Sequence, residues 1–369
     1  MKAAFRTLAA ALPVALPVAL PVALSVLIAA PAATAASPSV FGRALNDPRV
    51  YPTAAGLYVS WQTPAPSTAQ TDELAHVDSV TGAIEAERYL GAQLGTVLAA
   101  SGWLWVTVQS AKAGPTLLRL SPGTLAVTGR LVLGRAQAWI WSSAMTVAGG
   151  ALWVAAGSTL VRLSLPAGQV TARVSVPGAN SMFLTDAATG AGDVLVDGEA
   201  DDGLGAVQVR SPLTGALRAS TPMTGVVAPS VAGQAGGVWV SEPTGMMGHV
   251  ELLSLPALQP ERLQAPAGDF ISGDRTSIGG TNGISAFLAD GLVWLTQPDG
   301  GAQRNYCGDP ATGRMLAAIP LPRTQPGPAQ VLAAGSGYVY YAYWTSHGSQ
   351  VAEEVNREPI PAACRTAAR

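Results

Sequence analysis

Few residues in this chain of 369 have types and spacing that could do chemistry. The histidines are His76, His249 and His347, and the nearest approach to a catalytic pair is His249-Val250-Glu251. No second histidine stands at the short spacing of a zinc site, and no Gly-x-Ser-x-Gly elbow, Cys-x-x-Cys pair or glycine-rich phosphate loop occurs. Four acids crowd one stretch, Asp197, Glu199, Asp201 and Asp202. Their oxygens could hold Ca²⁺ or another divalent cation, although Asp202 and Gln208 stand where an EF-hand loop has its glycine and its closing glutamate. Solvated charge is the plainer reading, and no cofactor is expected. Trp139 and Trp141 flank one isoleucine, and a longer segment carries Asp269, Phe270, Asp274 and Arg275. Aromatics, acids and one arginine on neighbouring loops form a ligand platform, while the tryptophan pair alone would equally serve to plug a channel.

Such residues need a scaffold, and the scaffold is written as a repeat. Gly150-Ala151-Leu152-Trp153-Val154 returns as Gly102-Trp103-Leu104-Trp105-Val106, Gly237-Val238-Trp239-Val240 and Gly291-Leu292-Val293-Trp294-Leu295. Weaker copies centre on Tyr58, Leu195 and Tyr340. The seven anchors are spaced 47, 48, 42, 44, 55 and 46 residues apart, a period at which each copy is one small sheet of a radial array. The wide gap of 55 points to an extra segment near Asp269 to Asn282. Within a copy the spacing predicts four strands. The first lies just before the anchor (Ser143 to Val147, or Val226 to Val231) and the anchor strand is second. The third alternates (Leu117 to Leu120, Thr159 to Leu163), and the fourth follows a turn (Arg130 to Leu133, Val170 to Val174). Those turns read Asp78-Ser79-Val80-Thr81-Gly82, Ser121-Pro122-Gly123-Thr124, Ser211-Pro212-Leu213-Thr214-Gly215 and Asp309-Pro310-Ala311-Thr312-Gly313. An opening side-chain oxygen binds the turn backbone and a closing glycine takes positive φ, so a structural role suffices. The recurrent aromatic fills the wedge between sheets.

Together, the Gly-x-Leu-Trp-Val strand, the Leu-x-Arg-Leu strand and the Asp-Pro-x-Thr-Gly turn resemble the extracytoplasmic propellers of the YVTN and streptogramin B lyase-like group, from about Gly56 to Ile360. The resemblance implies an all-β fold, a seven-bladed β-propeller of four-stranded antiparallel blades. Its lyase members imply His, Glu and a divalent metal across the central channel. Here His249 falls on a third strand away from the axis, and His76 occupies the same strand of the first copy. WD40 and Kelch repeats fit less well, since no Trp-Asp pair occurs and the Gly-Gly pairs precede the tryptophan strand. The turns also resemble those of quinone-binding propellers, but the tryptophan that follows there is missing after Gly82, Gly215 and Gly313, so no quinone is expected.

Residues 1–35 read as a signal peptide: basic Lys2 and Arg6, an apolar run to Pro31 broken by prolines, then Ala33-Thr34-Ala35 as a cleavage site. Residues 36–369 are then one domain, secreted or extracytoplasmic, expected to be monomeric and without a membrane span. A net charge of −2 with Lys112 as the one lysine beyond the leader leaves no basic stripe for nucleic acid. In an oxidising compartment Cys307 and Cys364 are expected to pair rather than remain two free thiols. The last sheet is completed either by Val40 to Ala44 or by the tail near Cys364 alone. The functional expectation is a non-catalytic module whose loop face, with Trp139, Trp141, Asp269, Phe270, Asp274 and Arg275, binds a protein, glycan or small ligand. The competing expectation is a metal-assisted lyase or hydrolase with its site on that face.

Overall fold

Each anchor lies in the second strand of a sheet of its own. The computed structural model describes residues 45–63, 71–110, 113–135, 145–177, 179, 181–189, 192–201, 204–223, 230–234, 236–244, 247–261, 277–279, 285–289, 291–299, 302–310, 314–319, 329–347 and 350–365. Among them the strands pair antiparallel into sheets that follow chain order. Sheet 1 is Arg49–Thr53, Gly56–Thr63, Thr71–Val77 and Ile84–Tyr89, and sheet 2 is Gln93–Ala100, Trp103–Ser110, Gly114–Leu120 and Val127–Val132. Sheet 3 is Met145–Ala148, Ala151–Ala156, Thr159–Ser164 and Val170–Ser175, and sheet 4 is Ser181–Thr189, Gly192–Asp201, Leu204–Arg210 and Leu217–Met223. Sheet 5 is Ser230–Gln234, Gly237–Thr244, Met247–Ser254 and Gln259–Glu261 with Ser277–Gly279, and sheet 6 is Ser285–Ala289, Leu292–Asp299, Ala302–Asp309 and Arg314–Ile319. Sheet 7 is Ala329–Gly335, Tyr338–His347, Gln350–Pro359 and Leu45–Asn46. The first strand of each sheet packs on the first strand of the next, and Ala329–Gly335 of sheet 7 packs on Arg49–Thr53 of sheet 1. The chain is therefore an all-β propeller of four-stranded antiparallel blades.

The core follows from this geometry. It is not one mass but a wedge of apolar side chains at each seam. One wedge joins Trp239 and Leu252 of sheet 5 to Val293 and Tyr306 of sheet 6, and another joins Trp294 and Cys307 of sheet 6 to Val331 and Val339 of sheet 7. Trp153, Trp239 and Trp294 are fully buried, as are Tyr58, Tyr340 and Leu195. The anchor position thus takes bulk of any kind, as its sequence variants indicate. Fourth strands alternate exposed and half-buried in sheets 1 to 3 because only one of their faces meets a neighbouring sheet.

Several details correct the sequence reading. The first strand of sheet 3 runs on to Ala148 and that of sheet 5 to Gln234, past the expected ends, while residues 143–144 and 226–229 of the expected strands lie outside the described residues. Ring closure uses Leu45–Asn46, which pairs with Glu353 and Ala352 at the outer edge of sheet 7. Val40 to Ala44 lie outside the described residues, and the tail alone does not complete the sheet. Gln259–Glu261 and Ser277–Gly279 pair with the same edge of Met247–Ser254, and the rest of the expected extra segment near Asp269 to Asn282 lies outside the described residues. In the second turn Gly123 was expected to take positive φ, but the residue that does so is Leu125, at φ 54°. The turn closes two residues later than the Pro-Gly pair suggests, because the N–H of its fifth residue must donate to the carbonyl of Ser121. Gly82, Gly168, Gly215 and Leu258 make the same bond in their turns, so Ser164 to Gly168 and Ser254 to Leu258 are two further copies of the turn.

Candidate functional site

The residues expected to bind a ligand, Trp139, Trp141, Asp269, Phe270, Asp274 and Arg275, lie outside the described residues, as does Asp202. The other three acids correct the expected loop. Asp197, Glu199 and Asp201 belong to the second strand of sheet 4, where they pair with Leu184, Met182 and, on the other side, Leu204. The strand outruns its usual length, so the connection to the third strand shrinks to two residues. Among the described residues no group of three or more His, Cys, Asp or Glu side chains gathers as metal ligands do.

What the structure does bring together is a position that the sequence reading passed over. The residue paired across from each anchor on the third strand is His76, Arg119, Arg162, Arg210, Leu252, Cys307 or Arg357. At several seams the anchor or this partner reaches for the turn of the following sheet. Tyr58 donates its hydroxyl to the carbonyl of Pro122 at 3.2 Å. The Trp153 indole N–H and Arg162 Nε share the carbonyl of Pro212 at 3.0 and 3.4 Å, and the Trp239 N–H meets Pro310 at 3.2 Å. At the closing seam Arg357 donates to the carbonyls of Ser79 and Val80 and lies 4.8 Å over the Tyr338 ring. In sheet 6 the partner is Cys307, and it is disulfide-bonded to Cys364, just beyond sheet 7. A covalent bond stands where other seams use a guanidinium or an indole. The signal lay in the recurrent Leu-x-Arg-Leu, whose arginine the alternation alone does not single out.

His76 holds the same position in sheet 1 and is committed there. Its ring stacks on Tyr58 at 4.9 Å and lies against Gly56, where an added Cβ would stand 2.4 Å from Nε2. Its Nδ1 comes within 3.0 Å of Glu85 Oε2, a contact of distance rather than of hydrogen-bond direction. His249 lies in the third strand of sheet 5, and His347 ends the second strand of sheet 7.

One polar nest spans the closing seam and the next. Asp47, in the link from Leu45–Asn46 to sheet 1, accepts from Arg49 Nη2 at 3.2 Å and from Gln62 Nε2 at 2.8 Å. Arg49 Nη1 reaches the carbonyl of Leu94 in sheet 2 at 3.3 Å, and Asp72 Oδ2 accepts the Leu94 N–H at 2.6 Å. The Asp72 backbone also bonds Leu90 and Ala92, pinning the crossover between sheets 1 and 2. Asp72 is 4% exposed, and its Oδ1 and the Tyr51 hydroxyl are buried without hydrogen-bond partners among the described residues. Burial pushes the Asp72 carboxyl up to about 6, against the opposing pull of the Leu94 N–H and Arg49. Burial likewise raises the Tyr51 hydroxyl. The arrangement ties three sheets together and holds a carboxyl that burial raises well above the usual carboxylate range.

Comparison with known proteins matches the fold. No family model matches, and no curated protein matches. Among solved structures, the chain is similar to the WD40 domain of Toxoplasma gondii coronin (TM-score 0.52, 12% identity, 87% of this chain and 85% of that one). It is similar to the Dos1 propeller (TM-score 0.51, 12% identity, 86% and 84%). It also matches a chain of the COPII coat assembled on membranes (TM-score 0.53, 10% identity), covering 84% of this chain and 46% of that one. At such identities the likeness is one of fold, and this chain carries no Trp-Asp pair of its own.

Proposed function

We propose that the protein is an exported, seven-bladed propeller of the YVTN and streptogramin B lyase-like kind, acting as a non-catalytic binding module. The observation that carries the binding reading is the engagement of described ionisable groups in contacts of the scaffold, some within one sheet and some between sheets. His76 is taken by Tyr58 and Glu85, Asp72 by Leu94, Asp78 by its own turn, and Arg162 and Arg357 by the next sheet. Side chains spent on the scaffold leave recognition to the loops, which is how rigid arrays present function. Seven blades is supported by one paired sheet for each of the seven anchors. Export is supported by the leader-like first 35 residues and by a disulfide, a bond that persists in oxidising compartments. Among the described residues no helix is long and apolar enough to cross a membrane.

The loops between second and third strands, and those between sheets, open on one face. That face is the proposed platform, with Trp139 and Trp141 as anchors for a protein, glycan or small ligand. The test is a glycan and peptide array probed with the protein lacking residues 1–35, followed by calorimetry on any hit. The expected result is binding that Trp139→Ala with Trp141→Ala abolishes while the circular dichroism is unchanged. A stoichiometric divalent metal in the purified protein, lost on His249→Ala or Asp201→Asn, would overturn the reading in favour of a metal-assisted enzyme.

A further inference from the structure

The outer part of the seam between sheets 2 and 3 holds an open cleft of about 200 Å³, walled by Trp105, Leu117, Arg119, Leu131, Ala167 and Gly168, with Arg130 as a second cation at its lining. It exists because this seam departs from its neighbours in two ways. Trp153 and Trp239 send their indole N–H across to the next sheet, whereas Trp105 turns its own back to Ala100 of sheet 2 at 3.2 Å. Arg119 alone is left to reach the facing turn, with Nη1 at 3.4 and 3.3 Å from the carbonyls of Pro166 and Ala167. Those distances are long for charge-assisted bonds, which run at about 2.7–2.9 Å. The residue across from Arg119 on the fourth strand is Gly129, where sheets 1, 3 and 6 place Ala86, Ala172 and Ala317. The missing methyl widens the cleft beside the guanidinium.

The chemistry of the walls is specific. The Arg119 guanidinium lies 4.7 Å over the Trp103 ring, which fixes its plane, and no described carboxylate pairs with it. Its other contacts are the hydroxyl and carbonyl of Thr128. Below it are the indole of Trp105 and two leucines. Four of the guanidinium's five N–H groups are directed at uncharged oxygens at 3.2–3.5 Å, and a carboxylate attached to an apolar body would replace the long turn bonds with charge-assisted ones above an apolar floor. The volume falls below the roughly 300–1,000 Å³ of sites for drug-sized ligands, so the occupant is fragment-sized.

We propose that the seam between sheets 2 and 3 is a binding site for a small monocarboxylate, its carboxylate on Arg119 and its apolar body against Trp105, Leu117 and Leu131. The site lies on the side of the third-to-fourth-strand turns and stands independently of the loop-face platform.

Calorimetry and tryptophan fluorescence on the full protein, titrated with benzoate and hexanoate, test it, with benzamide and hexanamide as neutral matches. At least one acid is expected to bind with a Kd of roughly 1 mM, and its amide at least about tenfold more weakly. Arg119→Gln should bring the acid down to the level of its amide. Gly129→Val keeps the guanidinium and fills the cleft: Gly129 has ordinary strand φ, and its added Cβ meets Arg119 at a comfortable 3.5 Å. This variant should lose acid and amide alike with its melting temperature near wild type. Equal binding of acid and amide, no binding of either acid, or acid binding that survives both substitutions overturns the proposal.

Discussion

Asp72 carries the clearest consequence of a single side chain. Its carboxyl titrates near 6 in the folded protein against an ordinary 3.8, because burial disfavours the charge. The folded state therefore binds more protons than the unfolded one between about pH 4 and pH 6, so this group's contribution to stability falls as pH rises through that window. Two pK units correspond to an order of 2–3 kcal/mol, fully felt above pH 7. Urea unfolding at pH 5.0 and 7.5 should show wild type gaining stability at the lower pH relative to Asp72→Asn. The asparagine keeps an acceptor for the Leu94 N–H and removes the buried charge. A wild type that loses ground to the variant on acidification would contradict the assignment. Asp78 lies on the other side of the comparison. It is exposed, and the N–H groups of Thr81 and Val80 hold its carboxyl below the usual range, so its contribution disappears only at lower pH and is common to both proteins. The anchor residues divide in the same quantitative way. Trp153→Ala removes a fully buried ring and should destabilise by about 3–5 kcal/mol. Trp153→Phe keeps the wedge and loses the bond to Pro212, for about 1 kcal/mol, since Arg162 still serves that carbonyl. Chemical denaturation of the two variants separates filling from latching.

At the scale of the element, the turn between third and fourth strands shows what the sequence could and could not convey. The repeat of a serine or aspartate opening and a glycine closing was legible, because αL backbone at the fifth residue excludes most side chains. Where that residue is Leu125 or Leu258 the pattern vanished, yet the fold is the same, with φ of 54° at both. Leu125 is fully buried in the wedge between sheets 1 and 2, and Leu258 is 3% exposed in that between sheets 4 and 5. Packing outweighs backbone strain there. Leu125→Gly would relieve about 1–2 kcal/mol of left-handed strain but forfeit roughly 2–5 kcal/mol of burial, so a net loss of about 1–3 kcal/mol is expected in urea titration. A more stable variant would mean that the strain dominates. For the same reason the second strand of each sheet was easy to read and the first was not. The anchor strands are fixed by bulk at a constant position, while Met145–Ala148 and Ser230–Gln234 carry no residue type that marks their ends. The candidate ligand residues were chosen by type alone, and type does not say which strand a segment interrupts. The pairing of both Gln259–Glu261 and Ser277–Gly279 with one edge of Met247–Ser254 is such a case.

For the whole molecule, the stability of a ring depends on how its ends are joined, and this chain fastens sheet 7 on both sides. Toward sheet 1 it uses Leu45–Asn46 as the outer strand, with Arg357 bonded to the Ser79 and Val80 carbonyls. Toward sheet 6 it uses the Cys307–Cys364 bridge, set in the slot that Arg119 and Arg162 fill elsewhere. Each seam in the interior of the chain is held by covalent continuity through a crossover. At the closing seam the covalent link runs through the two-residue strand Leu45–Asn46, and beside it stand the apolar wedge of Val50, Val59, Ala333 and Tyr340 and the bonds of Arg357, so sheet 7 is where opening should begin. The bridge closes 57 residues of chain, worth about 4 kcal/mol on the loop-entropy account. Both sulfurs are fully buried, which makes the bridge a fixed fastening rather than an exposed redox contact. Cys307→Ala with Cys364→Ala should lower stability by about 2–5 kcal/mol. The location of the loss is the sharper readout. Native-state hydrogen exchange should accelerate first in Gln350–Pro359, Tyr338–His347 and the Leu45–Asn46 amides, with sheets 2 and 3 protected until global unfolding. If exchange instead rises uniformly around the ring, sheet 7 opens only with the whole propeller and the bridge acts on the unfolded chain alone.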